Sequence, residues 1–365
     1  MKVALAHDFL IRWGGAEKVL LDLCKIFPEA PIFTLFYKEN FVKKHFPMIE
    51  IKTTRLQEKY RKTKNHHLLT PLMPITVEDL DFSRYDLVIS STSGFMKGIV
   101  VPSKTKHICY MHTPTRWVWQ DYFLRKPKAL KRLFIHFFRL WDFEASQRPD
   151  LLITNSYYSA KRIKKFYRRD AKVIYPAISD EIVVKSSAEK KKNYYVIVSR
   201  LSDYKNVDKA IEVFKTLNQR LVIVGDGPEK KKLIKKSKKF RKQVIFTGFI
   251  QKREKLLELI KNSKGLIHLA EEDFGLVMAE ALKMGIPVIA WNRGGAEELI
   301  QDGVNGILFS SANEESIKNN LSEAIERSRC LEKSKISLKK ELDLSLENFK
   351  KELFLLKNKK YPNEK

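Results

Sequence analysis

Two carboxylates, Glu272 and Glu280, and two cations, Arg200 and Lys205, have the types and spacing in this 365-residue chain that best suit chemistry. Glu272 lies in the acidic run Glu271-Glu272-Asp273, and Glu280 lies in an otherwise largely apolar segment of helical type. A carboxylate buried on such a segment needs a partner, either a protein group or the hydroxyls of a ligand. Between the two, Phe274, Gly275 and Leu276 place backbone N–H groups at the start of that helix, where anions bind. Two fixed cations and a helix N-terminus suit a diphosphate, while carboxylates suit the hydroxyls of sugars and riboses. The set describes a site for a nucleotide sugar. Each member has a plainer reading alone: an acidic surface turn for Glu272, an ordinary strand-end cation for Arg200. Those readings do not explain why the charges gather at strand ends.

Elements of a particular kind must hold these residues. Residues 265–268 read as a short strand, the acidic run as a turn, 276–284 as a helix stopped by Gly285, and 286–290 as the next strand. The turn then lies at the carboxyl end of a parallel strand, where open α/β sheets bind ligands. Upstream, 194–200, 220–225 and 244–249 read as strands, with helices over 207–217, 230–239 and 255–262. Downstream, Gly294-Gly295 opens a second glycine-pair turn before a helix. In the first half, 1–8, 30–37, 85–91, 107–112 and 150–156 read as strands. Trp13-Gly14-Gly15-Ala16-Glu17 makes a phosphate-friendly turn into a helix over 19–26, and Asn155 or Ser156 can cap a helix over 159–167. Residues 38–80 are basic and poorly periodic. Adjacent His66 and His67 point in different directions on any regular element, which favours a polar loop over a metal site.

Strands alternate with helices in both halves, so the fold class is α/β with two doubly wound parallel sheets. A linker over 180–193, ending in Lys190-Lys191-Lys192, separates them, and two such domains leave a cleft faced by each sheet's ligand-binding edge. Hydrophobic residues are 44% of the chain, enough for a core in each half. The three cysteines, Cys24, Cys109 and Cys330, form neither a disulfide framework nor a metal cluster and fit a reducing compartment. The opening run is interrupted by His7 and Asp8 and reads as a buried strand, not a secretory leader. No apolar run reaches the about 18 residues that cross a bilayer.

The formal net charge is +27, which predicts attraction to anions, although many lysines would simply solvate the surface. Residues 125–141 combine Arg125, Lys126, Lys128, Lys131 and Arg132 with Phe134, Ile135, Phe137, Phe138, Leu140 and Trp141. Such a segment is either a membrane-surface helix or a core helix with a basic exposed end. The basic run over 230–242 lacks the aromatic interleaving of a nucleic-acid surface, so no nucleic-acid partner is expected.

Taken in order, these motifs resemble glycosyltransferase family 4, retaining enzymes of the GT-B fold. The Glu272 to Glu280 spacing resembles the family's Glu-x7-Glu motif, and Arg200 with Lys205 resembles its diphosphate-binding pair. Val224-Gly225-Asp226-Gly227-Pro228 is similar to its glycine turn, and Trp13 to Glu17 to its N-terminal glycine loop. Tyr110-Met111-His112-Thr113-Pro114-Thr115-Arg116-Trp117, with Asp121-Tyr122, resembles a segment of its mannosyltransferase-like members. Leu269-Ala270 stands where the family often has Pro-Ser, and Asn206 where many relatives have a basic or small residue.

The resemblance implies an acceptor-binding domain over 1–180, a donor domain over 181–345, and a helix over 346–365 crossing back to the first. It implies that Glu272 contacts the donor sugar, Glu280 the ribose, and Arg200 and Lys205 the leaving diphosphate. Gly15 would let backbone approach the phosphate, and His112 would touch the sugar near its reacting carbon. The expected activity is retaining transfer of a sugar, mannose from GDP-mannose favoured, to a glycan or lipid-linked acceptor in cell-surface polysaccharide synthesis. No cofactor or metal is expected, and the expected place is the cytoplasm, peripheral on the inner face of the cell membrane. A nucleotide-sugar hydrolase or epimerase of the same fold is the alternative, and a basic nucleic-acid-binding protein a more distant one.

Overall fold

A computed structural model of the protein describes residues 1–120, 129–179, 193–217, 219–311, 316–339 and 341–357. The chain divides into two compact units, one of residues 1–177 with 346–365 and one of residues 178–345. Each is built on a parallel sheet. In the first, β1 (Val3–His7), β2 (Ile32–Thr34), β3 (Ile51–Thr53), β4 (Leu87–Thr92), β5 (Lys106–Met111), β6 (Leu151–Thr154) and β7 (Lys172–Val173) take the order β3-β2-β1-β4-β5-β6-β7. In the second, β8 (Tyr194–Val198), β9 (Arg220–Val224), β10 (Val244–Gly248), β11 (Leu266–His268), β12 (Val288–Trp291) and β13 (Gly306–Phe309) take the order β10-β9-β8-β11-β12-β13. Both orders turn back once, between β1 and β4 and between β8 and β11. The crevice at the carboxyl ends of such a strand pair is where doubly wound sheets place ligands.

The central strands are buried on both faces, as parallel sheets covered by helices must be. Every residue of β4 is buried, including Ser90, Ser91 and Thr92. Polar strand ends of this kind need partners, and each has one. Ser90 Oγ shares a hydrogen bond of 2.8 Å with His107 Nε2, Ser91 Oγ one of 2.9 Å with His112 Nε2, and Thr92 donates to Asp8 at 2.7 Å.

Helix Tyr157–Tyr167 shows how local chemistry sets the boundaries. The Ser156 hydroxyl accepts the Ser159 N–H at 3.0 Å, Lys164 and Lys165 lie in the last turn, and Arg168 leaves the helix at φ 59°. Helix Leu346–Lys357 packs into the core of the first unit through Phe349, Leu353 and Leu356. Lys106 Nζ donates to its last carbonyls, Leu356 and Lys357, at 2.9 and 3.0 Å. That interaction satisfies orphan acceptors and opposes the helix dipole.

Two stretches differ from the sequence expectation. Residues 38–80, poorly periodic in sequence and with the histidines expected in a polar loop, form helices Glu39–His45, Leu56–Thr63 and Met73–Glu78, strand β3, and a 3-10 turn, His66–Leu72, that carries both histidines. These pieces are too short to display periodicity; Leu56–Thr63 buries only Leu56, Gln57 and Tyr60. The basic aromatic segment forms helix Ala129–Gln147, longer toward its carboxyl end than the pattern indicated. Arg125, Lys126, Lys128, Asp121 and Tyr122, with most of the expected linker, lie outside the described residues. Ile135, Phe138 and Asp142 of that helix are buried, while Leu133, Phe137 and Leu140 form an exposed apolar stripe. Among the described residues no helix is long and apolar enough to cross a membrane.

Candidate functional site

In the second unit the carboxyl ends of β8 and β11 collect the charged residues. After β8 the chain enters the turn carrying Ser199, Arg200 and Leu201. The glycine turn after β9 lies directly on it. A Cβ at Gly225, which has φ 134°, would stand 1.9 Å from the Ser199 carbonyl oxygen, and one at Gly227 would stand 2.3 Å from that of Leu201. Only glycine permits this approach. The contact is sealed by the Leu201 N–H donating to the Asp226 carbonyl at 3.0 Å. Arg200 is left exposed, with no ion pair among the described residues.

Lys205 ends a 3-10 turn, Asp203–Lys205, and is buried. Its ammonium forms an ion pair with Glu272, whose side chain is partly exposed. Asn206 follows at φ 53° and sends its amide to the Leu269 carbonyl at 3.1 Å. Asparagine tolerates the left-handed region better than most residues, so the residue that departs from the family pattern pins the lysine turn to the end of β11.

The acidic turn is held from its other side by Gly294 and Gly295. A Cβ at Gly294, with φ 68°, would stand 2.2 Å from the Glu272 carbonyl oxygen, and one at Gly295 would stand 2.2 Å from that of Phe274. The Gly295 N–H donates to the Glu272 carbonyl at 2.8 Å. This glycine pair serves close backbone packing.

Phe274 is buried, and Gly275, at φ 94°, precedes helix Leu276–Lys283. The first N–H groups of that helix have no intrahelical acceptor. Four residues into it, Glu280 is buried, and a protein group meets it: Arg253 Nη2 donates to its carboxylate at 2.6 Å. Gly285, at φ 70°, closes the helix, with the Ile286 N–H donating to the Ala281 carbonyl at 2.9 Å.

Buried polar atoms without a partner mark the same edge. Among the described residues of this unit they are Ser199 Oγ, His268 Nε2, Trp291 Nε1, Asn292 Oδ1 and Gln219 Oε1. The first four belong to the carboxyl ends of β8, β11 and β12; Gln219 alone is at an amino end. Orphaned groups are uncommon in folded proteins and call for an explanation, such as a ligand. His268 ends β11, with Nε2 3.9 Å from Glu272 Oε1. Burial and the nearby Lys205 charge, against the opposing charge of Glu272, lower its pKa to about 4.

Gly15 and His112 belong to the first unit. Gly15 opens helix Gly15–Ile26, and Glu17 in its first turn is buried with Oε1 3.6 Å from His7 Nε2. Burial opposes the charge of His7, but the hydrogen bond and charge of Glu17, with Asp8 beside it, raise its pKa overall. His112 follows β5 and is buried; besides its bond to Ser91, its carbonyl accepts from Asn155 Nδ2 at 3.1 Å. Asp8 accepts from the Thr92 hydroxyl and from the N–H groups of Ser93, Phe95 and Met96, all within 2.9 Å.

Sequence reasoning missed Arg253, His268 and Asp8, and it marked Asn206 only as a departure from the family pattern. The buried Glu280 signalled that a partner was needed, but nothing in the spacing named a residue 27 positions upstream.

Comparisons with known proteins follow the division into halves. Residues 13–182 match the model of Glycosyltransferase Family 4, and residues 178–351 match that of Glycosyl transferases group 1. A 41.2 kDa protein of the cps region of Klebsiella pneumoniae is 26% identical over 69% of this chain and 74% of its own length. A GDP-mannose-dependent alpha-mannosyltransferase of Corynebacterium glutamicum is 35% identical over 31% of this chain, a match spanning only 26% of that relative. The structure of Anabaena Alr3699/HepE in complex with UDP-glucose superposes with a TM-score of 0.68 at 20% identity, covering 98% of this chain and 99% of that one. That likeness establishes the architecture: two parallel-sheet α/β domains of the GT-B type.

Proposed function

The chain belongs to the glycosyltransferases, a Family 4 half followed by a group 1 half, and on that footing we propose that it transfers mannose from GDP-mannose, with retention of configuration, to a glycan or lipid-linked acceptor in cell-surface polysaccharide synthesis. The observation that carries the reading is the set of Arg200, Lys205, Glu272 and orphaned polar atoms around the switch between β8 and β11. The choice of GDP-mannose rests on the Corynebacterium glutamicum mannosyltransferase and on a second GDP-mannose-dependent alpha-mannosyltransferase, from Mycobacterium tuberculosis, 32% identical over 37% of this chain. The polysaccharide context rests on the cps-region relative.

In this reading the donor's diphosphate lies against exposed Arg200 and recruits Lys205 from Glu272. Glu272 is thereby released to the sugar hydroxyls. Glu280, held by Arg253 through one oxygen, offers the other to the ribose. As the bond from sugar C1 to phosphate oxygen breaks, charge grows on the leaving diphosphate. Two fixed cations at that point stabilise the transition state more than the ground state. The acceptor oxygen bonds to C1 on the same face, and its proton passes to the departing phosphate. No cofactor or metal takes part.

Acceptor supply is assigned to an anionic membrane surface, on the cytoplasmic side. Leu133, Phe137 and Leu140 expose an apolar stripe on helix Ala129–Gln147, with Lys131 and Arg132 exposed beside its start. A stripe of this type lies in the headgroup region, its cations drawn to anionic lipid.

The test is a donor screen with purified protein and acceptor-bearing membranes, with GDP-mannose and UDP-glucose as separate arms. Acceptor-dependent release of GDP is expected. Release of UDP alone would replace the donor, acceptor-independent release would indicate a hydrolase, and no nucleotide release from any nucleotide sugar would end the proposal.

A further inference from the structure

His268 is polar and buried, and its ring makes a backbone hydrogen bond at Ala270. It ends a fully buried strand, in register with Ala290 of β12. Its Nε2 is buried without a hydrogen-bond partner, a state that costs folding free energy. The charged groups acting on that nitrogen are Glu272, 3.9 Å away, and Lys205, which occupies the same carboxylate. While Lys205 stays, its charge opposes a proton on the imidazole and is itself paired with Glu272.

Donor binding changes this balance. In the reading above, on which this inference rests, Lys205 moves to the diphosphate and the Glu272 carboxylate loses the Lys205 ammonium just when it must hold a sugar hydroxyl. We propose that His268 is a positioning residue for Glu272: as Lys205 leaves, Nε2 takes a proton from solvent and donates it in a hydrogen bond to the Glu272 carboxylate. The orphan nitrogen of the empty site is then the reserve partner of the loaded one. Burial is the main reason the imidazole stays neutral, and departure of Lys205 removes the one nearby charge that adds to it while the Glu272 carboxylate remains, so ligand binding and protonation favour each other. The carboxylate keeps its aim at the sugar, and the acceptor capacity not used by His268 serves the hydroxyls.

The experiment is calorimetry of GDP-mannose binding, repeated with UDP-glucose, near pH 6.5 in two buffers of different ionisation heat. Wild type, His268→Phe and His268→Gln are compared. Wild type is expected to take up a proton on binding, and neither variant is. His268→Phe is expected to bind more weakly, by up to about tenfold, for want of the linked proton, and to lose roughly tenfold to a hundredfold in kcat, the scale of a misplaced reacting group. His268→Gln, whose amide can still donate to Glu272, is expected to recover part of that loss without proton uptake. Retained nucleotide-sugar affinity shows that a variant is folded; if His268→Phe fails to bind, the wild-type and His268→Gln uptakes decide. Binding by wild type without uptake, or equal uptake in His268→Gln, overturns the role of His268 and leaves the donor site standing. Failure of wild type to bind either nucleotide sugar removes the donor-site reading and this role together.

Discussion

The two sheets have the same strand order around their switch points, yet their carboxyl edges are finished in opposite ways. In the first unit Asp8 accepts four donors from one loop, and Ser90, Ser91 and Thr92 are each paired. His7 Nδ1 is the exception at that edge among the described residues. Among the described residues of the second unit Arg200 stands without an ion pair, Glu272 is held by a lysine, Glu280 is held by an arginine, and four polar atoms at the carboxyl edge have no partner. A satisfied network fixes a shape and contributes to stability. An unsatisfied one sacrifices stability for a ligand still to come. The first edge is finished by the fold itself, and the second leaves charged and orphaned groups for which the proposed donor would be the partner.

Substitutions should separate the two edges. Glu272→Gln or Arg200→Ala should lower transfer about a hundredfold to a thousandfold, the usual scale for losing an electrostatic group in the transition state. The same changes should leave Tm close to wild type, because both side chains are at least partly exposed. A large fall in Tm without loss of transfer would break the contrast. Asp8→Ala should do the reverse. It strands buried donors and should cost about 3 kcal/mol of stability or more, read as the urea midpoint. An unchanged midpoint would show that the first edge is not a structural network.

Acid sharpens the contrast further. His268, with a pKa lowered to about 4, and His107, lowered to about 3 by burial and the Arg169 charge, are both disfavoured as cations in the fold. Their stabilising contributions are present above the ordinary histidine pKa near 6.5 and are lost as pH falls from there toward 4 for His268 and toward 3 for His107. His7 runs the other way: its raised pKa stabilises at low pH, and that contribution is lost as pH rises through its folded value. His268→Phe should therefore flatten the acid loss of stability between about pH 6.5 and 4 by roughly 3 kcal/mol. A steeper loss in the variant would contradict the assignment. The smallest effect belongs to the exposed stripe of the first unit. Phe137→Glu should weaken binding to anionic vesicles about tenfold, one such side chain contributing roughly 1.5 kcal/mol or more to burial in lipid. Transfer to a soluble acceptor should be unaffected.

The alternation of strands and helices was legible because parallel strands read as short apolar runs and their glycine stops as punctuation. The pattern around 265–290 showed a turn carrying Glu272 and a helix carrying Glu280, and those elements stand at Leu266–His268, Leu276–Lys283 and Val288–Trp291. The strand order was not legible, since register is a property of pairs of segments. Nor was Arg253, whose bond to Glu280 joins two separate helices. Asn206 stood out as a departure, but its link to Leu269 depends on a left-handed backbone that composition does not announce. His268 looked like one more strand residue. Its orphan nitrogen is visible only once burial and neighbours are known.

The central claim is that the carboxyl edge of the second unit is built to be completed by a nucleotide sugar. Titration of GDP-mannose into wild type and into the Arg200→Ala, Lys205→Ala double variant, followed by calorimetry, tests it most directly. The prediction is saturable binding by wild type that weakens at least about a hundredfold in the variant, the loss of two charge-assisted contacts to the diphosphate. Equal affinity in the two proteins would contradict it.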